Sequence, residues 1–405
     1  MSDHPRIRSV RCVQYSGVIE ADEPFVAGRP ERPVDVYPER AADGPDVAYP
    51  LRRLGDGRWG VDAIFVHVEA DDGVSGTAGP IGHEQAVVIA RTKAPLLIGA
   101  DALATERAWD LLYRHAVHGR KGLEMMALSA LDCALWDLKG RWLGQPVHRL
   151  LGGPTRDAVP VYASTLGHAT DPEAAAELAA RLTREGFRAT KWFPRWRPQH
   201  GEAGVRGVHA LVEAIRDASG DGAEIMLDAW MSWDVPFTLA VARRVAGHGV
   251  RWIEEPVMPD QRAAYAEIAR RLDGGIAVAG GEHEYTRWGI AELLRDRAVQ
   301  VCQPDTYWAG GITEMCRIAA LTSTAGIPLI PHGHSVAANA ALTFAQPEAT
   351  MPMLEYLLTA NVIRQHFLAH PLHPVDGVLR APTEPGLGMR LDESKIERRV
   401  ELRLA

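Results

Sequence analysis

Lysine is scarce in this 405-residue chain, supplying five of its 44 basic residues at positions 93, 121, 139, 191 and 395. Arginine carries the positive surface charge, so Lys191, set inside the apolar run Ala-Thr-Lys191-Trp, stands out. Cysteine is scarce too. The four, at 12, 133, 302 and 316, show no metal-ligand spacing, which excludes a cysteine-built metal site. Cys133 and Cys302 lie in apolar stretches and are expected to be buried, reduced thiols. No charged segment leads into an apolar stretch at Met-Ser-Asp-His-Pro, and no run approaches the length of a membrane span. There is no excess of positive charge; the formal net charge of −8 argues against nucleic acid or an anionic membrane as partner. These absences predict a soluble, cytoplasmic protein.

The composition that is present, 46% hydrophobic and 24% charged, is that of an ordinary globular chain. Its length allows a barrel of roughly 250 residues with a smaller domain beside it. Residues 7–15 alternate as a strand. The segment from Gly17 to about Gly60, rich in Pro, Gly, Asp and Arg, is expected to be a lid or a disordered stretch. Strands at 63–70 and 74–78 surround the turn Asp71-Asp72-Gly73, and helical periodicity follows at 86–97, 101–112 and 125–143. Strands first and helices afterwards describe an α+β domain over 1–150. From residue 151 to 371 strand and helix alternate. Expected strands lie at 159–163, 188–193, 224–227, 250–253, 276–279, 299–302, 328–330 and 353–354. The tail 372–405 is too short to fold alone and is expected to pack back on the first domain.

Polar residues end these apolar runs in succession: Lys191, Asp228, Glu254, Glu282, Asp305, His332 and Glu355. Their intervals of 37, 26, 28, 23, 27 and 23 residues match one strand plus one helix. A parallel β/α barrel places such residues on a single rim, where active sites are built. Any one of them would as readily cap a helix or pair with an arginine. Asp228, Glu254 and Glu282 come from three consecutive strands, and three converging carboxylates repel unless a cation neutralises them. Mg²⁺ fits that oxygen-rich set. Asp305 and His332 end the next two strands, where a carboxylate can fix the tautomer of an imidazole that faces substrate. Lys191 would balance a substrate carboxylate, and a protonated Glu355 would hydrogen-bond to it. His283 either binds a substrate hydroxyl or packs beneath the rim, and Glu255, alternating away from Glu254, is expected to support it from behind. Arg53, with Arg52 and Arg58, is a candidate for reaching a substrate carboxylate or hydroxyl, or belongs to a solvated basic loop. His334 carries no assignment.

The motifs Leu-Asp228-Ala-Trp, Trp-Ile-Glu254-Glu-Pro, Gly-Gly-Glu282-His, Gln-Pro-Asp305 and Pro-His332-Gly resemble the mandelate racemase subgroup of the enolase superfamily. Gln145-Pro-Val-His-Arg-Leu-Leu-Gly-Gly and Pro385-Gly-Leu-Gly are similar to that family as well. The resemblance covers nearly the whole chain. It implies an α/β fold, a (β/α)7β modified TIM barrel with an α+β capping domain from both termini. It also implies Mg²⁺ on Asp228, Glu254 and Glu282, a His332–Asp305 dyad as base, and abstraction of the proton α to a carboxylate. Racemases of the subgroup look like Lys-x-Lys on the second strand, whereas this chain has Lys191-Trp192-Phe193 and so lacks a second base. One base suits elimination, and the chain is similar to L-rhamnonate dehydratase-type acid sugar dehydratases, some of which act on acids such as L-lyxonate. The alternatives are a racemase, epimerase or cycloisomerase with an unseen second base, or a non-catalytic sugar-acid binding relic. Barrels of this family are commonly homo-oligomers, which is the expectation here.

Overall fold

The computed structural model describes residues 4–21, 28, 30–41, 51–272 and 274–402. Eight parallel barrel positions follow one another around a ring. Strands Ala158–Ser164, Ala189–Trp192, Glu224–Asp228, Val250–Glu254, Ala277–Gly280 and Val301–Cys302 pair in chain order. The seventh position is a single bridge, Leu329 to Cys302, and the eighth, Leu354–Leu357, returns to pair with the first. Helices between them form the outer layer, giving the (β/α)7β barrel.

Alternation along each strand decides what faces the centre. In Glu224–Asp228, Met226 joins the barrel interior, while Ile225 and Leu227 pack outward against the helices. The interior takes one residue from each of seven strands: Tyr162, Ala189, Met226, Trp252, Ala279, Val301 and Ile330. Large and small residues share the layer, and Tyr162 meets Trp252 edge-on with ring centroids 5.6 Å apart. Counting by twos from this plug aims Lys191, Asp228, Glu254, Asp305 and His332 inward. Glu355 also points inward, because its neighbours Leu354 and Tyr356 pack outward.

The helices follow from equally local causes. Pro172–Arg184 begins at Asp171, whose side chain accepts the Ala174 N–H at 3.1 Å, with proline at its first turn. Its buried stripe, Ala175, Leu178, Ala179 and Leu182, has the spacing of one helical face.

The cap is a five-stranded antiparallel sheet in which Ile7–Glu20 and Arg58–Ala70 form the long central pair. The tail returns to it, with Arg398–Glu401 pairing along Ile7–Glu20. The segment expected to be a lid is partly strand: Ile7–Glu20 runs past Gly17, and Leu51–Gly55 and Arg58–Ala70 occupy its far end. Cross-strand pairing to a long neighbour overrode the Gly and Arg content there. Residues 22–27, 29 and 42–50 of that segment lie outside the described residues. No helix among the described residues is long and apolar enough to cross a membrane.

Helix Leu123–Trp142 joins cap to barrel. Gly76 lies so close beneath it that a Cβ there would meet the Ala134 carbonyl at 2.1 Å. Its buried Asp137 accepts N–H groups from Thr77 of the sheet and Leu387 of the tail, at 2.8 and 2.7 Å. On its barrel side, Asp132 accepts the Thr313 N–H at 2.9 Å, and Ser129 accepts that of Gly310 at 2.9 Å. The Tyr307 hydroxyl accepts the Gly79 N–H at 3.0 Å, so the loop after the sixth strand, which begins at Asp305, is held by the cap.

Candidate active site

The seven rim residues are brought together, at two depths. Lys191 and Glu355 sit within their strands rather than at the ends, 1% and 0% exposed, because the eighth strand runs to Leu357 instead of stopping at Leu354. The Lys191 ammonium contacts Asp228 at 3.0 Å, Glu355 at 2.8 Å and Glu254 closely. Burial works against its charge, yet those three carboxylates outweigh it and raise its pKa well above the ordinary value. Glu355 also accepts the Gly333 N–H at 2.7 Å, which ties the seventh position to the eighth. Burial would raise its pKa, but Lys191 and His332 hold it down to about 2. Both cations favour the carboxylate form of Glu355, whereas the protonated form was the expectation from the sequence.

Asp228, Glu254 and Glu282 are all buried, and burial first, then mutual repulsion against Lys191 or histidine, raises their pKa values, Glu254 to about 8 and Glu282 to about 7. Glu254 takes a hydrogen bond from Trp252 Nε1 at 3.0 Å and another from Gln303 Nε2 at 2.8 Å on the same oxygen. Charges so enclosed call for a counter-cation, and the oxygen donors fit a hard divalent one. The expected triad is nonetheless not the tightest group. Among the described residues at the rim, those whose ligand atoms all lie within 4.8 Å of one another are Glu255, Glu282 and His283.

The physical reason is that two cationic centres divide the acids. Lys191 gathers Asp228 and Glu254, while His283 stands 2.8 Å from Glu255 and 3.6 Å from Glu282. Burial lowers the pKa of His283, but Glu255 and Glu282 win and hold it up at about 9. Alternation alone would turn Glu255 away from the centre. It leaves the strand with φ of 39°, and this turn lets it meet His283. Gly281, at φ of 118°, redirects Glu282 in the same way.

His332 Nδ1 and Asp305 Oδ2 are 2.6 Å apart, and His332 Nε2 lies 3.7 Å from Glu282. Asp305 also accepts the Tyr307 N–H at 2.6 Å, so the carboxylate is fixed on both sides. Burial lowers the pKa of His332, whereas Glu282 and the Asp305 hydrogen bond bring it up to about 10. Among the described residues the opposite wall holds no such pair. Phe193 is buried there, 5.4 Å from the Lys191 ammonium and edge-on to Trp230.

Sequence reasoning missed Trp308, whose ring packs against those of His332, His334 and His283 at 5.2, 5.5 and 5.7 Å. It also missed Gln303, although Gln-Pro-Asp305 was a visible motif and alternation places Gln303 inward. Arg53 is not brought to the cluster. It is exposed on strand Leu51–Gly55 opposite Trp59, and no hydrogen bond or ion pair among the described residues joins it to the seven. Arg364 donates to the His334 carbonyl at 3.4 Å and lines a cleft of about 380 Å³ with His334, His83 and Pro80.

Residues 173–395 match the family described as Enolase C-terminal domain-like, and residues 57–152 match Mandelate racemase / muconate lactonizing enzyme, N-terminal domain. The chain is 35% identical over 425 residues to the L-rhamnonate dehydratase of Saccharopolyspora erythraea, covering 98% of each. The rhamnonate dehydratase of Gibberella zeae complexed with Mg has the same fold, with a TM-score of 0.83 and 27% identity over 98% of this chain and 96% of that one. The 3,6-anhydro-D-galactonate cycloisomerase from Zobellia galactanivorans gives a TM-score of 0.76 and 26% identity over 97% and 100%. The chain belongs to the mandelate racemase subgroup of the enolase superfamily, as an L-rhamnonate dehydratase-like enzyme of the carbon–oxygen lyase class.

Proposed function

We propose that this enzyme is a Mg²⁺-dependent dehydratase that converts a sugar acid of the L-rhamnonate or L-lyxonate type into its 2-keto-3-deoxy acid. The observation that carries the reading is the one-sidedness of the site: a histidine–aspartate pair on one wall, and buried Phe193 where a second base would stand. The 35% identity to an L-rhamnonate dehydratase supports the substrate class.

Asp228, Glu254 and Glu282 would hold the Mg²⁺, with Glu255 and His283 at their side. Bound there, the ion would supply positive charge to the substrate carboxylate oxygens, where negative charge grows as the α-proton leaves. With the ion rather than the imidazolium offsetting Glu282, His332 Nε2 would be free to take that proton from C2, while Asp305 keeps the Nδ1–H in place and shares the imidazolium charge. Loss of the C3–O bond follows. The proton on His332 passes to the departing hydroxyl, which leaves as water on the same face, and the enol product tautomerises to the 2-keto acid. Lys191 balances the substrate carboxylate, with Glu355 positioning its ammonium. Trp308 shields the imidazole from water. Arg364 and His83, which line a cleft with His334, would meet the far hydroxyls.

The test is a screen of purified enzyme with Mg²⁺ against a library of sugar acids, assaying 2-keto-3-deoxy product. Turnover confined to acids of one C2/C3 configuration supports the reading. α-Proton exchange in D₂O without dehydration would replace it with an isomerase. Silence in both assays across the L-rhamnonate and L-lyxonate group would remove the substrate assignment.

A further inference from the structure

We propose a second metal site, for a transition-metal ion of the Zn²⁺ class, formed by His209, Glu213 and His248 on the outer helical layer. Helix Gly201–Ser219 carries His209 and Glu213 one turn apart on one face. His248 ends the short turn Ala246–His248, which passes through Gly249, at φ of 63°, into strand Val250–Glu254. The ligand atoms of all three residues lie within 4.8 Å of one another. The two imidazoles stand perpendicular with centroids 4.9 Å apart.

Two further observations point to an occupant. His248 Nδ1 is shut off from solvent and has no hydrogen-bond partner among the described residues, a condition that costs about 1–3 kcal/mol if nothing fills it. The backbone around it is also held in advance. Arg216 donates to the His248 carbonyl from Nε at 3.0 Å and from Nη2 at 2.8 Å, fixing the turn against the helix that bears the other two ligands. A packed histidine pair alone would need neither Glu213 at its side nor an enclosed, idle nitrogen.

The donor chemistry selects the ion. Two imidazole nitrogens and one carboxylate suit Zn²⁺ with a fourth position for water, whereas Mg²⁺ requires near-octahedral oxygen ligation. The site is separate from the catalytic rim, because His248 leads into the N-terminal end of the strand whose other end carries Glu254. A bound ion would join helix Gly201–Ser219 to the approach of the fourth strand and stabilise the barrel without entering the reaction.

Enzyme held in saturating Mg²⁺ is titrated with Zn²⁺ against a chromophoric chelator. The expected result is one equivalent of Zn²⁺ per chain, weakened more than about tenfold in His209→Ala and in Glu213→Gln, while Mg²⁺-dependent activity is unchanged. Zn²⁺ raises the melting temperature of the wild type and not of His209→Ala. Co²⁺ added in its place gives visible absorption bands that disappear in His248→Ala. Glu282→Gln, altered at the rim, retains the Zn²⁺ equivalent. Absence of that equivalent in the wild type, its survival in both His209→Ala and Glu213→Gln, or its loss in Glu282→Gln overturns the assignment.

Discussion

The middle of the barrel and its rim lie within the same strands and obey opposite rules. In the middle, Tyr162, Met226, Trp252 and Ile330 fill a closed space, and no residue of that layer has a positive φ. At the rim, two residues further on, stand Lys191, Asp228, Glu254 and His332, and the backbone departs from regularity. Trp230, Met231, Glu255 and Thr286 have positive φ values of 40°, 59°, 39° and 61°. Such conformations cost of order 1–3 kcal/mol each and persist only where the surroundings enforce them. Crowded carboxylates add to that cost. The middle layer stabilises the fold, and the rim draws on that stability to hold groups that would not otherwise stay together.

Substitutions should therefore separate the two layers. The largest expected effect is at the rim: His332→Asn lowers kcat by about 10²–10⁴-fold, while the melting temperature stays at or above the wild-type value. A substantial fall in melting temperature would break the comparison. Met226→Ala, in the fully buried middle layer, is expected to cost about 2–5 kcal/mol in denaturant unfolding, with kcat of the folded enzyme retained. Removal of divalent cations with a chelator should abolish turnover but leave the far-UV dichroism of the barrel intact, since Lys191 and His283 still offset the acids.

A smaller effect belongs to the cap. His67 is held down to about 4 by burial, with Arg11, Arg141 and Arg399 acting in the same direction, and its ring nitrogens meet Tyr15 and Thr77 at 2.9 and 3.1 Å. The unfolded chain takes up that proton near pH 6.5, so acid favours unfolding as pH falls from 6.5 toward 4. Melting temperature should drop across that window, and His67→Gln should flatten the slope. An unchanged slope would show that His67 does not contribute to the acid sensitivity.

Much of the barrel was legible because its signals are local. Strands at 224 and 250 begin where their apolar runs do. The seventh strand shrank to one bridge at Leu329, whose N–H goes to the Thr350 carbonyl ahead of the eighth strand. The eighth shifted to Leu354–Leu357 because pairing with Val161–Ser164 set its register. Glu255 meets His283 because the backbone turns at that residue, which alternation alone does not show.

Sequence by itself determined the strand–helix period, the parity that aims Lys191, Asp228, Glu254, Asp305 and His332 at one axis, and the missing base at Phe193. Each depends on residues within a few positions of one another. Only the tertiary structure decided that Lys191 and His283 divide the acids, that Trp308 backs the base, and that Arg53 stays away from the cluster while Arg364 meets His334. It also decided that Tyr307 and Gly79, 228 residues apart, fix the loop that carries Asp305. Those contacts depend on where distant segments meet once the apolar surface is buried, and no local pattern encodes that.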